Sequence, residues 1–194
     1  AYGTSVERMM INQTNPDPAL GDKRSTIEGG AHPFLTDSKV VKALSLAIDR
    51  SILVEAGYGA AGQVTCNVLP APSAYASTAN DECKTQDVAK ANALLDEAGW
   101  LSGDDGMRRK DGQTLEVEFL SASPGFDRII NPYVESLRRL GVDASLNRVD
   151  YAQYVERLDA PSDFDIITHT MTQGFEPGIG MRQWFGSETA ADSS

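Results

Sequence analysis

Few side chains in this chain could do chemistry, and their spacing decides what each can do. Asp104, Asp105 and Asp111 alternate with glycines, as oxygen ligands do in a calcium loop. The glutamate that closes such a loop at its twelfth position is missing. Asp-Gly is first of all a turn former, so this segment reads as a solvated hairpin. His32, His169, Cys66 and Cys83 are the soft or nitrogen ligands for a zinc ion, yet their spacing matches no paired-ligand pattern; no metal site is expected. Ser121 and Ser123, with Asp127 and His169, supply the ingredients of a nucleophile, a base and an orienting acid. No Gly-x-Ser-x-Gly elbow frames either serine, so no catalytic residue is assigned. Asp96 and Glu97 read as solvated charge on a helix. Thr168-His169-Thr170-Met171-Thr172-Gln173-Gly174-Phe175-Glu176-Pro177 is the better candidate. It leaves the C-terminal end of an expected strand for a Pro-Gly turn, where α/β sheets present groups to ligands. His169, Met171, Thr172, Gln173, Gly174 and Glu176 are therefore the binding candidates, and the chemistry is recognition rather than bond making.

These residues need a scaffold, and the patterning supplies one. Residues 6–12 read as a strand, followed by an aperiodic polar stretch at 13–36 that should be surface loop, with His32 a loop residue. Val40, Val41, Leu44, Ala47 and Ile48 recur at helical spacing behind Asp37, a good N-cap; the helix is expected over 38–50, with a second at 51–56. Residues 63–84 are irregular, and Thr85 is the expected N-cap of a helix stopped by Gly99. A hairpin at 103–112 leads to a strand at 115–120, then a helix at 126–140 in which Pro132 should mark a kink or the first turn. A strand at 142–149, a helix at 151–159 and a strand at 164–171 complete the alternation. Such a run predicts an α/β fold, a mixed sheet with helices on its faces. Trp184 and Phe185 read as core aromatics.

The 194 residues suffice for one buried domain. A formal net charge of −11 argues against nucleic-acid or anionic-membrane partners, which need a basic footprint. No apolar run approaches the roughly 20 residues of a membrane-spanning helix. The opening Ala1-Tyr2-Gly3-Thr4 carries no basic and apolar leader, which suggests a mature or truncated chain.

The segment Pro33-Phe34-Leu35-Thr36-Asp37-Ser38-Lys39-Val40-Val41-Lys42-Ala43-Leu44-Ser45-Leu46-Ala47-Ile48-Asp49-Arg50 resembles the signature of the family 5 extracellular solute-binding proteins, the oligopeptide, dipeptide and nickel receptors of ABC importers. Lys42 stands where that signature has arginine. Asp87-Val88-Ala89-Lys90-Ala91 through Glu97-Ala98-Gly99-Trp100 resembles the family's next helix. Gly141-Val142-Asp143, Asp150-Tyr151-Ala152-Gln153-Tyr154 and Phe164-Asp165 follow its later order.

The resemblance implies one lobe of a two-lobed periplasmic binding protein, with residues 1–194 forming most of the C-terminal lobe. It implies an exported, periplasmic receptor, soluble or lipid-anchored, that captures peptides or peptide-like solutes and delivers them to a membrane permease. Its partners would be the ligand, the permease and the N-terminal lobe; no cofactor is implied. In that compartment Cys66 and Cys83 are expected to form a disulfide, closing the segment 63–84. In peptide-binding relatives the stretch after the Phe-Asp strand lines the cleft and carries an aspartate for the ligand's α-amine. Gln173 falls at that position and Glu176 is the nearest acid, which puts recognition of a free amine in doubt. The motifs of the tail, including Arg182-Gln183-Trp184-Phe185, resemble the subgroup associated with microcin C and murein-peptide uptake. A receptor of the same family for nickel, haem or a sugar, and a free-standing adhesion or chaperone-like module, are the alternatives.

Overall fold

A computed structural model describes residues 5–71, 74–158 and 163–172. A four-stranded mixed sheet forms its centre. The strands are β1 (Ser5–Ile11), β5 (Glu116–Ser121), β6 (Asp143–Arg148) and β7 (Ile166–Thr172), in the spatial order β1-β7-β5-β6. Strands β6 and β7 both run parallel to β5, while β1 closes the edge antiparallel to β7, with Ser5 opposite Thr172 and Ile11 opposite Ile166. The small strands β2 (Leu101–Ser102), β3 (Arg108–Lys110) and β4 (Gln113–Thr114) make a separate antiparallel sheet. The α/β expectation is met, and the mixture of strand directions with it.

Helix α1 (Ser38–Leu46) opens at Asp37, whose carboxylate accepts the Lys39 N–H at 2.9 Å. Its apolar stripe buries Val40, Ala43, Leu44 and Leu46 against α3 (Val88–Glu97) and the core. Each fully buried leucine contributes about 1.5–3 kcal/mol. The helix expected over 38–50 stops early. Ala47 and Ile48 stay buried, which preserves the apolar period, but the Asp49 side chain accepts the Ser51 N–H at 2.9 Å and starts α2 (Arg50–Tyr58) instead. The cap of α3 likewise falls at Asp87, which accepts the Lys90 N–H, rather than at Thr85. Gly99 ends the helix region at φ +86°, a conformation that suits glycine.

Helix α4 (Asp127–Arg139) carries Pro132 in its interior rather than in its first turn. The apolar face of α4 buries Ile129, Ile130, Tyr133, Val134 and Leu137, enough to hold it against the sheet despite the lost donor. Helix α5 (Tyr151–Leu158) connects β6 to β7 and donates from the Tyr154 hydroxyl to the Thr168 carbonyl at 3.4 Å.

The stretch 13–36 is not simply surface. It contains a short 3-10 segment at Pro18–Lys23 and a bridge between Thr14 and Ala31, and it sends His32 and Leu35 into the interior, 2% and 0% exposed. His32 is in a loop, as expected, but a buried one. The irregular segment at 63–84 holds the expected disulfide between Cys66 and Cys83, with Cα atoms 6.0 Å apart, and a 3-10 turn at Asp81–Lys84.

Candidate functional site

The C-terminal end of β7 is built by its pairing with β1. Glu7 lies opposite Thr170, Arg8 opposite His169 and Val6 opposite Met171. The Ser5 and Thr172 hydroxyls meet at 2.8 Å, the last bonded pair of the edge among the described residues. Of the binding candidates, His169 is half-buried, Met171 is buried and Thr172 is exposed; Gln173, Gly174 and Glu176 lie outside the described residues.

Beside this end of β7, between the sheet and the α1–α2 pair, lies a cavity of about 820 Å³. Val41 of α1, Leu53 and Val54 of α2, and Ile48 between the two helices form one wall, and Val64 and Pro70 belong to the segment closed by the disulfide. Glu7, Met9, Thr170 and Met171 come from the sheet. Met171 thus joins the cavity, while His169 and Thr172 do not contribute to its lining.

The polar groups of the wall are arranged around two residues. Arg50 donates from Nη1 to the Ser45 carbonyl at 2.9 Å and the Cys83 carbonyl at 2.7 Å, and from Nη2 to the Ser45 hydroxyl at 2.8 Å. Burial lowers its pKa, and the two carbonyl groups hold the guanidinium in place. The Ile48-Asp49-Arg50 motif therefore has a structural task here: Asp49 starts α2, and Arg50 fastens that start to the disulfide segment.

Glu7 is the other centre. Its Oε2 accepts from the Tyr58 hydroxyl at 3.1 Å and from the Thr170 hydroxyl. Its Oε1 is buried and accepts no hydrogen bond among the described residues. The Tyr58 phenol is pushed up to about 12, by burial first and then by the Glu7 charge and the hydrogen bond to it, so Tyr58 remains a donor at neutral pH. Neither Glu7 nor Tyr58 was expected at the site. The available signal was an acid at a position sharing a strand face with Met9 and Ile11, both packed against the core.

The other constellations come apart. Cys66 and Cys83 are bonded to each other, and His32 is committed to Asp165. Among the described residues no three His, Cys, Asp or Glu side chains gather as a metal would need. Ser121 and Ser123 bond to each other across the turn after β5, and Asp127 pairs with Arg148. Asp105 accepts from both terminal nitrogens of Arg109 within the hairpin.

Residues 1–193 match the family model of the bacterial extracellular solute-binding proteins, family 5 Middle. A probable peptide-binding protein YejA of Agrobacterium fabrum is 35% identical over 114 residues, 58% of this chain and 18% of that protein. The match spans just under a fifth of that relative. Lactococcal OppA, solved with an endogenous peptide in the closed conformation, superimposes with a TM-score of 0.75 at 20% identity, over 99% of this chain and 36% of that one. NikA from Brucella suis, solved with Fe(III)-EDTA, gives a TM-score of 0.72 at 21% identity, over 98% and 35%. This chain covers just over a third of each of these two structures. With its motifs in order along nearly its whole length, the chain belongs to the bacterial extracellular solute-binding proteins of family 5.

Proposed function

We propose that the chain is most of the C-terminal lobe of the substrate-binding component of an ABC importer, and that it captures peptides or peptide-like solutes. The observation that carries this reading is the family match over residues 1–193, joined to a sheet whose β7 ends beside an open cavity. The similarity to a probable peptide-binding protein favours peptides over other solutes. The ligand would lie between this lobe and an N-terminal lobe and be trapped by hinge closure, with the closed form presented to a membrane permease. His169, Met171, Thr172, Gln173, Gly174 and Glu176 are the proposed cleft-lining residues. The family is extracellular, and a periplasmic location, soluble or lipid-anchored, belongs to the same proposal.

Gln173 offers an amide where a ligand's ammonium group would reward a carboxylate, so the proposed ligands include peptides with a blocked amino end. Calorimetric titration of the full-length receptor with one short peptide, free and then N-formylated, tests this. Preference for the formylated form supports the reading. Preference for the free amine assigns the pairing to another acid, and binding of neither form overturns the peptide assignment.

A further inference from the structure

Glu7 is an acid set in an apolar wall. Val41, Leu53 and Val54 face the cavity from the helices, Ile48 from between them, and Met9 and Met171 from the sheet, so the space suits hydrocarbon. One carboxylate oxygen is saturated by the Tyr58 and Thr170 hydroxyls, and the other is buried without a donor among the described residues. A buried acceptor left unpaired costs free energy, more when it is charged. The unmet demand is therefore for a donor, preferably cationic, carried on an apolar stem. The cavity's volume, about 820 Å³, lies in the range of small-ligand pockets.

The remaining charges are compatible with a cation. Two arginines also line the cavity, and both are engaged: Arg50 is fastened to Ser45 and Cys83, and Arg8 has a partner of its own. Glu7 sits across from Thr170, two residues and about 7 Å along the strand from Thr172, the last described residue of β7. A lysine side chain is long enough to cover a comparable distance.

We propose that this cavity is a pocket for a long cationic side chain of the ligand, an alkyl stem ending in an ammonium group, with Glu7 as its counter-ion. The proposal rests on the peptide-receptor reading for the identity of the ligand, and on the cavity alone for its chemistry.

Two measurements separate these. In the first, the full-length receptor is titrated with alanine tripeptides carrying lysine or norleucine at each position in turn. The two side chains share the stem and differ in the ammonium group. At one position lysine is expected to bind about tenfold more tightly than norleucine, a charge-assisted hydrogen bond's worth of discrimination. Glu7→Gln is expected to bring that ratio close to one. Parity of lysine and norleucine at every position, with the alanine peptide still binding, overturns the pocket and leaves the receptor reading intact. Failure of every peptide to bind overturns the receptor reading instead. The second measurement then decides the pocket by itself: pentylammonium and pentanol are titrated while the amide resonances of Glu7, Tyr58 and Thr170 are followed. Saturable shifts with pentylammonium alone sustain the cation site, whereas equal shifts, or none, overturn it.

Discussion

His32 Nε2 lies 3.1 Å from Asp165 Oδ1, while Nδ1 of the same ring accepts the Leu35 N–H at 3.1 Å. An acceptor at Nδ1 leaves the proton on Nε2, so the imidazole donates to Asp165. The second Asp165 oxygen accepts the Glu118 N–H at 2.8 Å, and its backbone carbonyl accepts the Asn12 N–H at 2.8 Å. One carboxylate thus joins the buried loop to the central strand, just where β1 ends. The Phe164-Asp165 motif is in this protein a joint of the fold. Asp165→Asn removes one of the two acceptors and turns an amide donor toward either the imidazole N–H or the Glu118 N–H. The ring cannot relieve the clash by changing tautomer, because Nδ1 is already used. The expected loss is about 2–3 kcal/mol in urea denaturation; a loss below about 0.5 kcal/mol would show that the network does not hold the loop.

Arg108 is a second joint, 3% exposed. Its Nε donates to the Leu140 carbonyl at 2.8 Å, Nη1 to Asp96 at 2.6 Å and the Trp100 carbonyl at 2.5 Å, and Nη2 to Asn92 at 2.6 Å. The fork binds the hairpin to the ends of α3 and α4 at once. Gly141 must remain small here, since a Cβ would stand 2.4 Å from the Gly106 carbonyl oxygen. Arg108→Lys keeps the charge but cannot reproduce a planar fork with four directed donors. It is expected to cost about 2–4 kcal/mol, measured by the midpoint of denaturation. A near-neutral result would mean that water replaces the lost donors.

Much of this architecture is written in short-range pattern. The alternation at the start of β5 and the helical stripe of α1 mark their elements correctly, because each buries one face there; β7, buried at Ile166, Ile167 and Thr168 in succession, carries no such period. Boundaries fare worse wherever two caps compete. Ala47 and Ile48 continue the apolar period although neither belongs to α1, and only the bond from Ser51 to Asp49 shows where the helix restarts. Partners distant in sequence leave no local trace. Glu7 and Tyr58 are 51 residues apart, His32 and Asp165 are 133 apart, and neither pairing could be inferred from periodicity. The candidate site was legible only as a place, the end of β7. Met171 reaches the cavity, whereas the acid that faces it comes from the neighbouring edge strand, β1.

The disulfide holds one wall of that cavity. Cys66 and Cys83 are 17 residues apart, and the Cys83 carbonyl is also a partner of Arg50. Chain entropy assigns a loop of this size about 3 kcal/mol. Replacing both cysteines by serine is expected to lower stability by about that amount. It should also raise hydrogen exchange at residues 64–71 more than at β5. Uniform exchange across both segments would mean that the wall is held by packing rather than by the bridge.

Alkaline pH gives a test with a defined sign. Tyr133 is 5% exposed, its hydroxyl donates to the Leu44 carbonyl at 3.3 Å, and burial raises its pKa. Tyr58 is raised to about 12 by burial, then by the Glu7 charge and the bond to Glu7. For each phenol the native state holds the proton after the unfolded state has lost it, so their contribution is complete below about pH 10, the ordinary phenol value. It is lost as pH rises from there toward about 12 for Tyr58 and higher for Tyr133. For Tyr133 the slope approaches about 1.4 kcal/mol per pH unit. Tyr58 is 45% exposed, so solvent screening reduces its share. Denaturation midpoints measured from pH 8 to 12 should therefore fall most steeply above about pH 10, in step with the phenolate absorbance of the unfolded chain. Tyr133→Phe removes the larger share and should flatten the decline, while Glu7→Gln should lower the Tyr58 pKa only in part, because burial remains its largest cause. An unchanged slope in Tyr133→Phe would place the alkaline loss on other groups.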